Sequence, residues 1–147
     1  MLVGILLYTP LLWGDMPVNH DHPMLLLRAW ILGQQVATSG TPFGFSPILF
    51  AGNPADGLYS IGSDLLVGFF RLVTFGIASW ETAYCWALLT GILAYPMALY
   101  ALGHRLGGPL AGLVAGLLGL LDRGAYLQPG WSFTVDWGVW AMGLAFA

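Results

Sequence analysis

Residues 82–103 read TAYCWALLTGILAYPMALYALG and carry no formal charge. A helix rises about 1.5 Å per residue, so roughly 20 apolar residues are needed to cross a hydrocarbon layer about 30 Å thick. This stretch meets that length. A second uncharged stretch, residues 106–121, follows after only His104 and Arg105. The pattern predicts two membrane-spanning helices joined by a tight polar turn at residues 104–109.

The composition points to the same environment for the whole chain. Hydrophobic residues make up 58% of the sequence and charged residues 7%, whereas an ordinary soluble domain carries about 25% charged residues. So few charges cannot cover a water-facing surface, and we predict an integral membrane protein. The net charge of -3 is dispersed, which excludes a nucleic-acid partner because phosphate binding needs clustered Lys and Arg. Cys85 lies inside the apolar run and is predicted to be a small packing residue.

Apolar segments also lie at both ends of the chain. We predict one all-α membrane domain over residues 1–147. Its transmembrane helices, about four in number, lie near 1–14, 82–103, 106–121 and 132–147. The first segment is short for a complete span and the last one stops inside an apolar stretch. We therefore expect a fragment of a larger multispanning protein, completed by further spans or by a partner subunit.

Residues 15–81 form the predicted long first external loop, with two amphipathic juxtamembrane helices near 24–36 and 58–74. In the first helix, apolar residues recur at helical spacing while Arg28 and Gln35 mark a polar side. In the second, Asp64 and Arg71 are seven residues apart and share a face. We interpret them as a mutual ion pair, or as snorkelling side chains on an interfacial helix, rather than as part of a further span.

Small residues and tryptophans give two further structural predictions. Gly112, Gly116 and Gly119 follow small-residue spacing, which predicts that this helix packs closely against a neighbour. Three tryptophans surround Asp136, and aromatic residues of this kind prefer the headgroup boundary. We therefore predict that Asp136 lies near a membrane surface and that Trp131, Trp137 and Trp140 are interface anchors, although a sugar could stack on them.

Counting crossings brings distant acids together. If residues 58–80 do not cross the membrane, the connection after residue 121 lies on the same side as the long first loop. Asp21 and Asp136 can then meet at one membrane surface. If residues 58–80 do cross, the two acids lie on opposite sides.

The order of motifs resembles that of the GT-C glycosyltransferases, polytopic enzymes that include protein O-mannosyltransferases and aminoarabinose transferases. A short first helix precedes a loop that carries an acid, an amphipathic helix, two Gly-x-Pro loops and an apolar juxtamembrane helix. The residues concerned are Asn19-His20-Asp21-His22, Arg28 to Gln35, Gly40-Thr41-Pro42, Gly52-Asn53-Pro54, Tyr59, Phe75-Gly76, Leu102 to Gly108 and Asp136. The order extends over nearly the whole chain.

The resemblance implies transfer of a sugar from a polyprenyl-phosphate donor to an acceptor at the external face of a bacterial or archaeal cell membrane. Asp21 takes the position of the first-loop acid, at the acceptor and able to act as base, and Asp136 helps to hold the site or a cation. Arg28 and Arg123 are candidates for the donor phosphate, although contacts to lipid headgroups are an equal alternative. Asp15 and Asp56 complete the expected substrate-binding side chains, and Asp15 could instead be an N-cap or a simple loop acid.

A divalent cation, Mg²⁺, Mn²⁺ or Zn²⁺, is the expected cofactor if one is used, with Asp21 and Asp136 as its ligands. His20 and His22 flank Asp21 and could add imidazole ligands, although adjacent residues chelate poorly through all three side chains. Two non-enzymatic functions are alternatives. One is a transporter or channel module whose pathway is lined by Asp64, Arg71 and Asp136. The other is a noncatalytic membrane protein whose acidic loop binds a partner.

Overall fold

A computed structural model describes residues 8–46, 48, 53–54, 61–122, 132–136, 138 and 140. Most of these residues are helical, which confirms the all-α prediction in its coarse form. One feature was not anticipated, a pair of two-residue strands between the second and third helices. Strand β1 (Phe45–Ser46) pairs antiparallel with β2 (Asn53–Pro54), which is part of the second Gly-x-Pro loop.

Helix α1 (Thr9–Leu12) is a single turn in which Pro10 occupies the first turn, where a missing N–H costs nothing. A loop follows, and Gly14 takes a positive φ of 85° within it. A Cβ at Gly14 would lie 2.6 Å from the Thr82 hydroxyl oxygen, so the chain passes directly over the start of the longest helix. Of the predicted first span, residues 1–7 lie outside the described part of the chain.

Helix α2 (His22–Ser39) covers the amphipathic helix that was predicted near residues 24–36. It begins after Asp21 with Pro23 in its first turn, and it ends at Gly40, which adopts a left-handed φ of 71° and donates its N–H to the Val36 carbonyl. Such a glycine is a common helix terminator because it has no Cβ to clash. Helix α3 (Ile61–Val73) covers the helix that was predicted near 58–74, and it packs against α2.

Helix α4 (Trp80–Leu121) contains both predicted central spans. Its N-cap is Ser79, whose hydroxyl accepts the Thr82 N–H at 3.1 Å. Among the described residues, α4 is the one helix long and apolar enough to cross a membrane. Its first turns form the core, where α1, α2 and α3 all contact it. Cys85 is fully buried there, which confirms its predicted packing role.

Gly108 breaks α4 into two arms, residues 80–107 and 109–121, with φ 79° and ψ -173°. The arms pack side by side in opposite directions. A Cβ at Gly112 would lie 2.8 Å from the Tyr100 carbonyl oxygen, and one at Gly116 would lie 3.3 Å from the Pro96 carbonyl oxygen. The predicted close packing of this glycine stripe is therefore confirmed, and its neighbour is the first arm. The helix continues through His104 and Arg105, so the reversal is confined to the end of the predicted turn.

The predicted fourth span lies mostly outside the described residues. Its described part begins with a short π-helical turn, Ser132–Asp136, followed by Gly138 and Trp140. Turns of this type occur often at functional sites. This segment packs against the start of α2 and the first turns of α4, which creates the site described next.

Candidate functional site

Three buried rings from three parts of the chain share one hydrogen-bond network. His22, at the start of α2, places its Nδ1 atom 2.7 Å from the Tyr84 hydroxyl of α4 and its Nε2 atom 2.6 Å from the Val135 carbonyl oxygen. The Trp140 indole N–H donates to the same Tyr84 hydroxyl at 3.0 Å. His22 and Tyr84 are completely buried, and Trp140 is nearly so. The network joins α2, α4 and the 132–140 segment.

The chemistry of the partners fixes the protonation state of His22. The Val135 carbonyl can only accept, so Nε2 carries a hydrogen and donates it. The Trp140 N–H can only donate, so the Tyr84 oxygen accepts from it and is free to donate its own O–H to Nδ1. The neutral Nε2–H tautomer of His22 satisfies all of these groups, whereas a proton on Nδ1 would take away the acceptor of the Tyr84 O–H. Every ring N–H and the hydroxyl in this network has a partner, which buried polar groups require.

Ring packing reinforces the hydrogen bonds. The His22 and Tyr84 rings lie 5.8 Å apart at an interplanar angle of 86°, and the Tyr84 and Trp140 rings lie 5.8 Å apart at 87°. These are edge-to-face contacts, a favoured arrangement of aromatic pairs. Trp140 is only 1% exposed because its indole packs inside the protein and donates its N–H to Tyr84. Its ring is therefore not an exposed side chain of the kind that the prediction of an interface anchor required.

Asp21 and Asp136 both adjoin this network. Asp21 precedes His22, and Asp136 follows Val135, whose carbonyl accepts the His22 N–H. Gly138 lies so close to the start of α2 that a Cβ there would be 3.0 Å from the backbone nitrogen of His22 and 3.3 Å from Asp21 Cβ. Both acids are partly exposed. The structure thus brings two carboxylates that are distant in sequence to the same end of the molecule.

Burial and charge act in opposite directions on His22. Burial, the largest influence, lowers the pKa of the imidazole, while the Val135 hydrogen bond and the negative charges of Asp21 and Asp136 raise it. The electrostatic influence of the neighbouring His20 lowers the pKa of His22. The net shift of the pKa is downward, which agrees with the neutral tautomer deduced from the hydrogen bonds.

The remaining predicted site residues do not gather around the two acids in the same way. Asp15 and His20 are exposed in the loop between α1 and α2. His20 adopts a positive φ of 47°. Asp56 and Arg123 lie outside the described residues, so their predicted roles stay predictions.

Arg28 is placed differently from what its sequence pattern indicated. Its guanidinium donates to a carboxylate oxygen of Asp64 at 2.7 Å, and each side chain is only 4% exposed. Arg28 therefore faces α3, not the polar side of α2, because the first turn of α3 supplies an acid where the two helices pack. Burial raises the pKa of Asp64 to about 6, against the lowering effect of Arg28.

Arg71 has partners of its own. It donates to the Gly76 carbonyl at 2.9 Å and to the Ala78 carbonyl, and its guanidinium lies over the Trp80 ring, 5.0 Å from the centroid. The predicted mutual pair of Asp64 and Arg71 is therefore wrong. Spacing of seven placed them on similar faces of α3, but each side chain found a closer partner on another segment.

The fit of these residues to a metal ion can be judged from their contacts. Both nitrogens of His22 are used within the protein, so a metal would have to displace Tyr84 or Val135. Across the described ranges, no group of three His, Cys, Asp or Glu side chains is placed to hold a metal. The imidazole of His22 is a structural group in this arrangement.

No protein-family model, curated protein or solved structure matches this chain. The candidate site is therefore characterised by its own geometry.

Sequence reasoning paired the two acids but missed the buried rings that hold them. The available signal was Tyr84, a residue with a hydroxyl inside an otherwise apolar run. A buried tyrosine needs a hydrogen-bond partner, yet nothing local identifies that partner. His22 and Trp140 lie 62 and 56 residues away along the chain.

Proposed function

We propose that this chain is the membrane-embedded part of a glycosyltransferase of the GT-C kind, with α4 crossing the bilayer and Asp21 at the acceptor site. The donor is a polyprenyl-phosphate sugar, and the reaction takes place at the membrane face where Asp21 and Asp136 lie. This membrane face is the external face of a bacterial or archaeal cell membrane. The further spans expected from the sequence, or a partner subunit, complete the donor pocket.

The reaction assigned to this site is a displacement at the anomeric carbon. Asp21 takes the proton from an acceptor hydroxyl while the hydroxyl oxygen forms a bond to that carbon. The bond between the anomeric carbon and the phosphate oxygen breaks, and the lipid phosphate leaves with the electron pair. The leaving phosphate needs a positive partner. Arg28 is committed to Asp64, so Arg123 is the remaining arginine that the resemblance supplies for this role.

The single observation that carries the proposal is the convergence of Asp21 and Asp136 beside His22. His22 binds the backbone of residue 135, and residue 138 packs on Asp21, so each acid is held by a short connection to one buried side chain. A reaction that uses one carboxylate as base needs a fixed position for it within hydrogen-bond reach of the substrate. Here the two partly exposed acids are adjacent to residues that belong to the buried, fully hydrogen-bonded network of His22, Tyr84 and Trp140.

The membrane level of the site is supported by distance along α4. Tyr84 and His104 are separated by about 30 Å at the helical rise of about 1.5 Å per residue, which equals the hydrocarbon thickness. With His104 at one interface, Tyr84 and the acids attached to its network lie at the other. The first arm, residues 80–107, is about 42 Å long by the same rise, enough to cross with some tilt.

Substitution of Asp21 tests the proposal directly. The protein is reconstituted in vesicles with a radiolabelled polyprenyl-phosphate sugar, and transfer of the sugar to the acceptor is measured. Asp21→Asn should lower the transfer rate by at least about 100-fold, the size typical of loss of a general base. Glu81→Gln is the matched control, because Glu81 is an exposed carboxylate in the first turn of α4, the end of that helix where His22 and Asp21 also lie. Its rate should be unchanged.

The other two functions give different results in the same system. A noncatalytic protein would show no transfer above that of empty vesicles in the wild type. A transporter would move a solute across the vesicle membrane with no new glycosidic bond. Equal transfer by Asp21→Asn and wild type would remove Asp21 from the mechanism.

A further inference from the structure

The loop between α3 and α4 exposes a group of large apolar side chains. Phe75 is 92% exposed and Ile77 is 89% exposed, and Leu72, at the end of α3, is 74% exposed. Single exposed apolar residues are ordinary, but contiguous groups mark surfaces that meet a partner or a membrane. We refer to Leu72, Phe75 and Ile77 as the wedge.

The exposed Phe75 has an unfavourable backbone conformation. Its φ is +53°, a region that bulky residues rarely occupy because Cβ crowds the backbone. Gly76 follows with φ +76°, so two successive residues are left-handed. Strain of this kind persists only where neighbouring contacts enforce it, and it is often found at functional positions.

Arg71 supplies the enforcing contacts. Its guanidinium donates to the carbonyls of Gly76 and Ala78, on the far side of the loop, and it lies over Trp80. The loop is thus fastened to the start of α4 by one side chain. The wedge is presented by a fixed scaffold and does not owe its exposure to a loose segment.

The position of the wedge along the chain identifies the partner. Ile77 is three residues before Trp80, where α4 begins, and α4 is the helix of the described part that is long and apolar enough to cross a membrane. The wedge therefore adjoins the first turn of α4, on the headgroup side of Tyr84, and its side chains have to extend toward the level of Tyr84 to reach the acyl chains. The adjoining Arg71 and Trp80 pair is suited to the headgroup boundary, where Arg and Trp side chains are favoured.

Charge favours lipid over a protein partner. Between residues 65 and 79 the sequence contains a single formal charge, Arg71, which is already bonded to backbone carbonyls. Protein partners are usually selected by complementary charges and polar groups around an apolar centre. The wedge residues Leu72 and Phe75 also line a groove of about 760 Å³ between α2 and α3. Its walls are mostly apolar, with Asp64 and Arg71, both already bonded within the protein, as the charged members. Such a groove suits an acyl chain.

We propose that Leu72, Phe75 and Ile77 insert into the acyl region of the leaflet where α4 enters, with Arg71 and Trp80 at headgroup level. The proposal rests on α4 crossing the membrane, which is part of the proposed function. Insertion of the wedge would fix the depth of α3 in the membrane. Because the Arg28 and Asp64 pair joins α2 to α3, it would also fix the depth of α2 and of Asp21, which precedes α2.

Spin labelling in lipid vesicles tests the insertion. Single cysteines are introduced by Phe75→Cys, Ile77→Cys, Leu113→Cys and Asn19→Cys in a Cys85→Ala background, and each is labelled with a nitroxide. Power saturation then compares collisions with oxygen, which concentrates in lipid, and with a water-soluble nickel chelate. Leu113 is an exposed residue of α4 and reports the span, whereas Asn19 is an exposed polar loop residue and reports water.

We expect labels at positions 75, 77 and 113 to favour oxygen and the label at 19 to favour nickel. A nickel preference at 75 and 77, with an oxygen preference at 113, would overturn the insertion while leaving the membrane span intact. A nickel preference at 113 would remove the span and the insertion together. Labels at 75 and 77 that reach neither reagent would indicate a protein contact and would also overturn the insertion.

A second variant tests whether the Phe75 ring itself provides the anchoring. Asn tolerates the left-handed region better than other non-glycine residues, so Phe75→Asn keeps the loop conformation and removes the apolar ring. In this variant the oxygen preference of the label at 77 should fall several-fold, while that of the label at 113 is unchanged. No change at 77 would show that the ring does not anchor the loop and would overturn the wedge in its stated form.

Discussion

At the scale of single residues, Tyr84 is the centre of the candidate site because its hydroxyl serves two partners. It accepts from Trp140 and donates to His22. Tyr84→Phe would leave a buried indole N–H and a buried imidazole nitrogen without partners. We expect a loss of about 1–3 kcal/mol in the free energy of unfolding, the usual cost of such groups. Tyr100→Phe is the control, since Tyr100 is 45% exposed, and it should change stability by no more than about 0.5 kcal/mol.

Both variants are measured by thermal or denaturant unfolding in detergent micelles. Equal stability of the two would mean that the Tyr84 hydroxyl is not bonded as described. A loss much larger than that of a hydrogen bond would instead indicate collapse of the ring packing.

His22 gives the site a pH dependence of known sign. Burial lowers the pKa of its imidazole in the folded state relative to the unfolded state. The unfolded state then binds more protons at acid pH, so the stability that His22 contributes is present above pH about 6.5 and is lost as the pH falls through the lower folded pKa. A protonated Nδ1 would also deprive the Tyr84 O–H of its acceptor.

Comparison with His22→Gln isolates this effect. Asp64 titrates in the same range with the opposite sign, because its raised pKa of about 6 means that its contribution is lost as the pH rises. Asp64 is present in both proteins, so the difference between their melting temperatures reports His22 alone. We expect wild type to be more stable at pH 8 and the difference to shrink toward pH 5. A difference independent of pH would contradict the neutral tautomer.

At the scale of secondary-structure elements, the Arg28 and Asp64 pair joins α2 to α3. Both side chains are almost fully buried, so removing one partner leaves an uncompensated charge. Asp64→Leu should cost about 3–5 kcal/mol of unfolding free energy. The double variant Arg28→Leu with Asp64→Leu should recover most of that loss, because replacing a buried pair by apolar residues is often neutral. Unfolding of the wild type, the two single variants Arg28→Leu and Asp64→Leu, and the double variant forms a complete cycle, and additive losses would contradict direct pairing.

The two arms of α4 depend on backbone contact at the glycine stripe. Gly112→Ala would place a Cβ 2.8 Å from the Tyr100 carbonyl oxygen, and backbone there cannot yield as a flexible side chain would. We expect destabilisation of about 1–3 kcal/mol from overpacking. Gly68→Ala in α3 is the matched control, because a Cβ there meets nothing within 4 Å. It should stabilise by about 0.5–1 kcal/mol through helix propensity.

Unfolding in detergent measures both glycine variants under the same conditions. The opposite signs make the comparison sharp, since the same chemical change is made in two helices. Stabilisation by Gly112→Ala would mean that the arms of α4 do not touch at this point.

At the scale of the whole molecule, the features that could be predicted from the sequence are the helices and turns that depend on local residue patterns. The uncharged runs predicted α4, the Gly-Gly-Pro turn contains the reversal at Gly108, and amphipathic periodicity located α2. The partners of buried side chains could not be predicted in this way. Arg28 was assigned to a polar face from the apolar periodicity of its helix, and only the packing of α3 against α2 supplies its partner, Asp64.

The candidate site was half foreseen for the same reason. Asp21 and Asp136 were paired by counting membrane crossings, an argument that needs no side-chain detail. The His22, Tyr84 and Trp140 network depends on three segments meeting with hydrogen-bond accuracy. Trp140 was expected to be an exposed anchor from the average preference of its residue type, but the Tyr84 hydroxyl accepts its N–H and the ring is buried inside the protein.

Labelling from either side of the membrane tests the arrangement of the whole molecule. Cysteines are introduced by Asn19→Cys, Asp136→Cys and His104→Cys, and the protein in sealed vesicles is treated with a charged thiol reagent that cannot cross lipid. Cys85 is fully buried and should stay unlabelled in the unmodified protein, which serves as the blank. Positions 19 and 136 should react from one side and position 104 only from the other, because the first arm of α4 spans about 30 Å between Tyr84 and His104. Reaction of positions 19 and 136 from different sides would separate the two carboxylates by the bilayer, and a shared catalytic site would then be physically impossible.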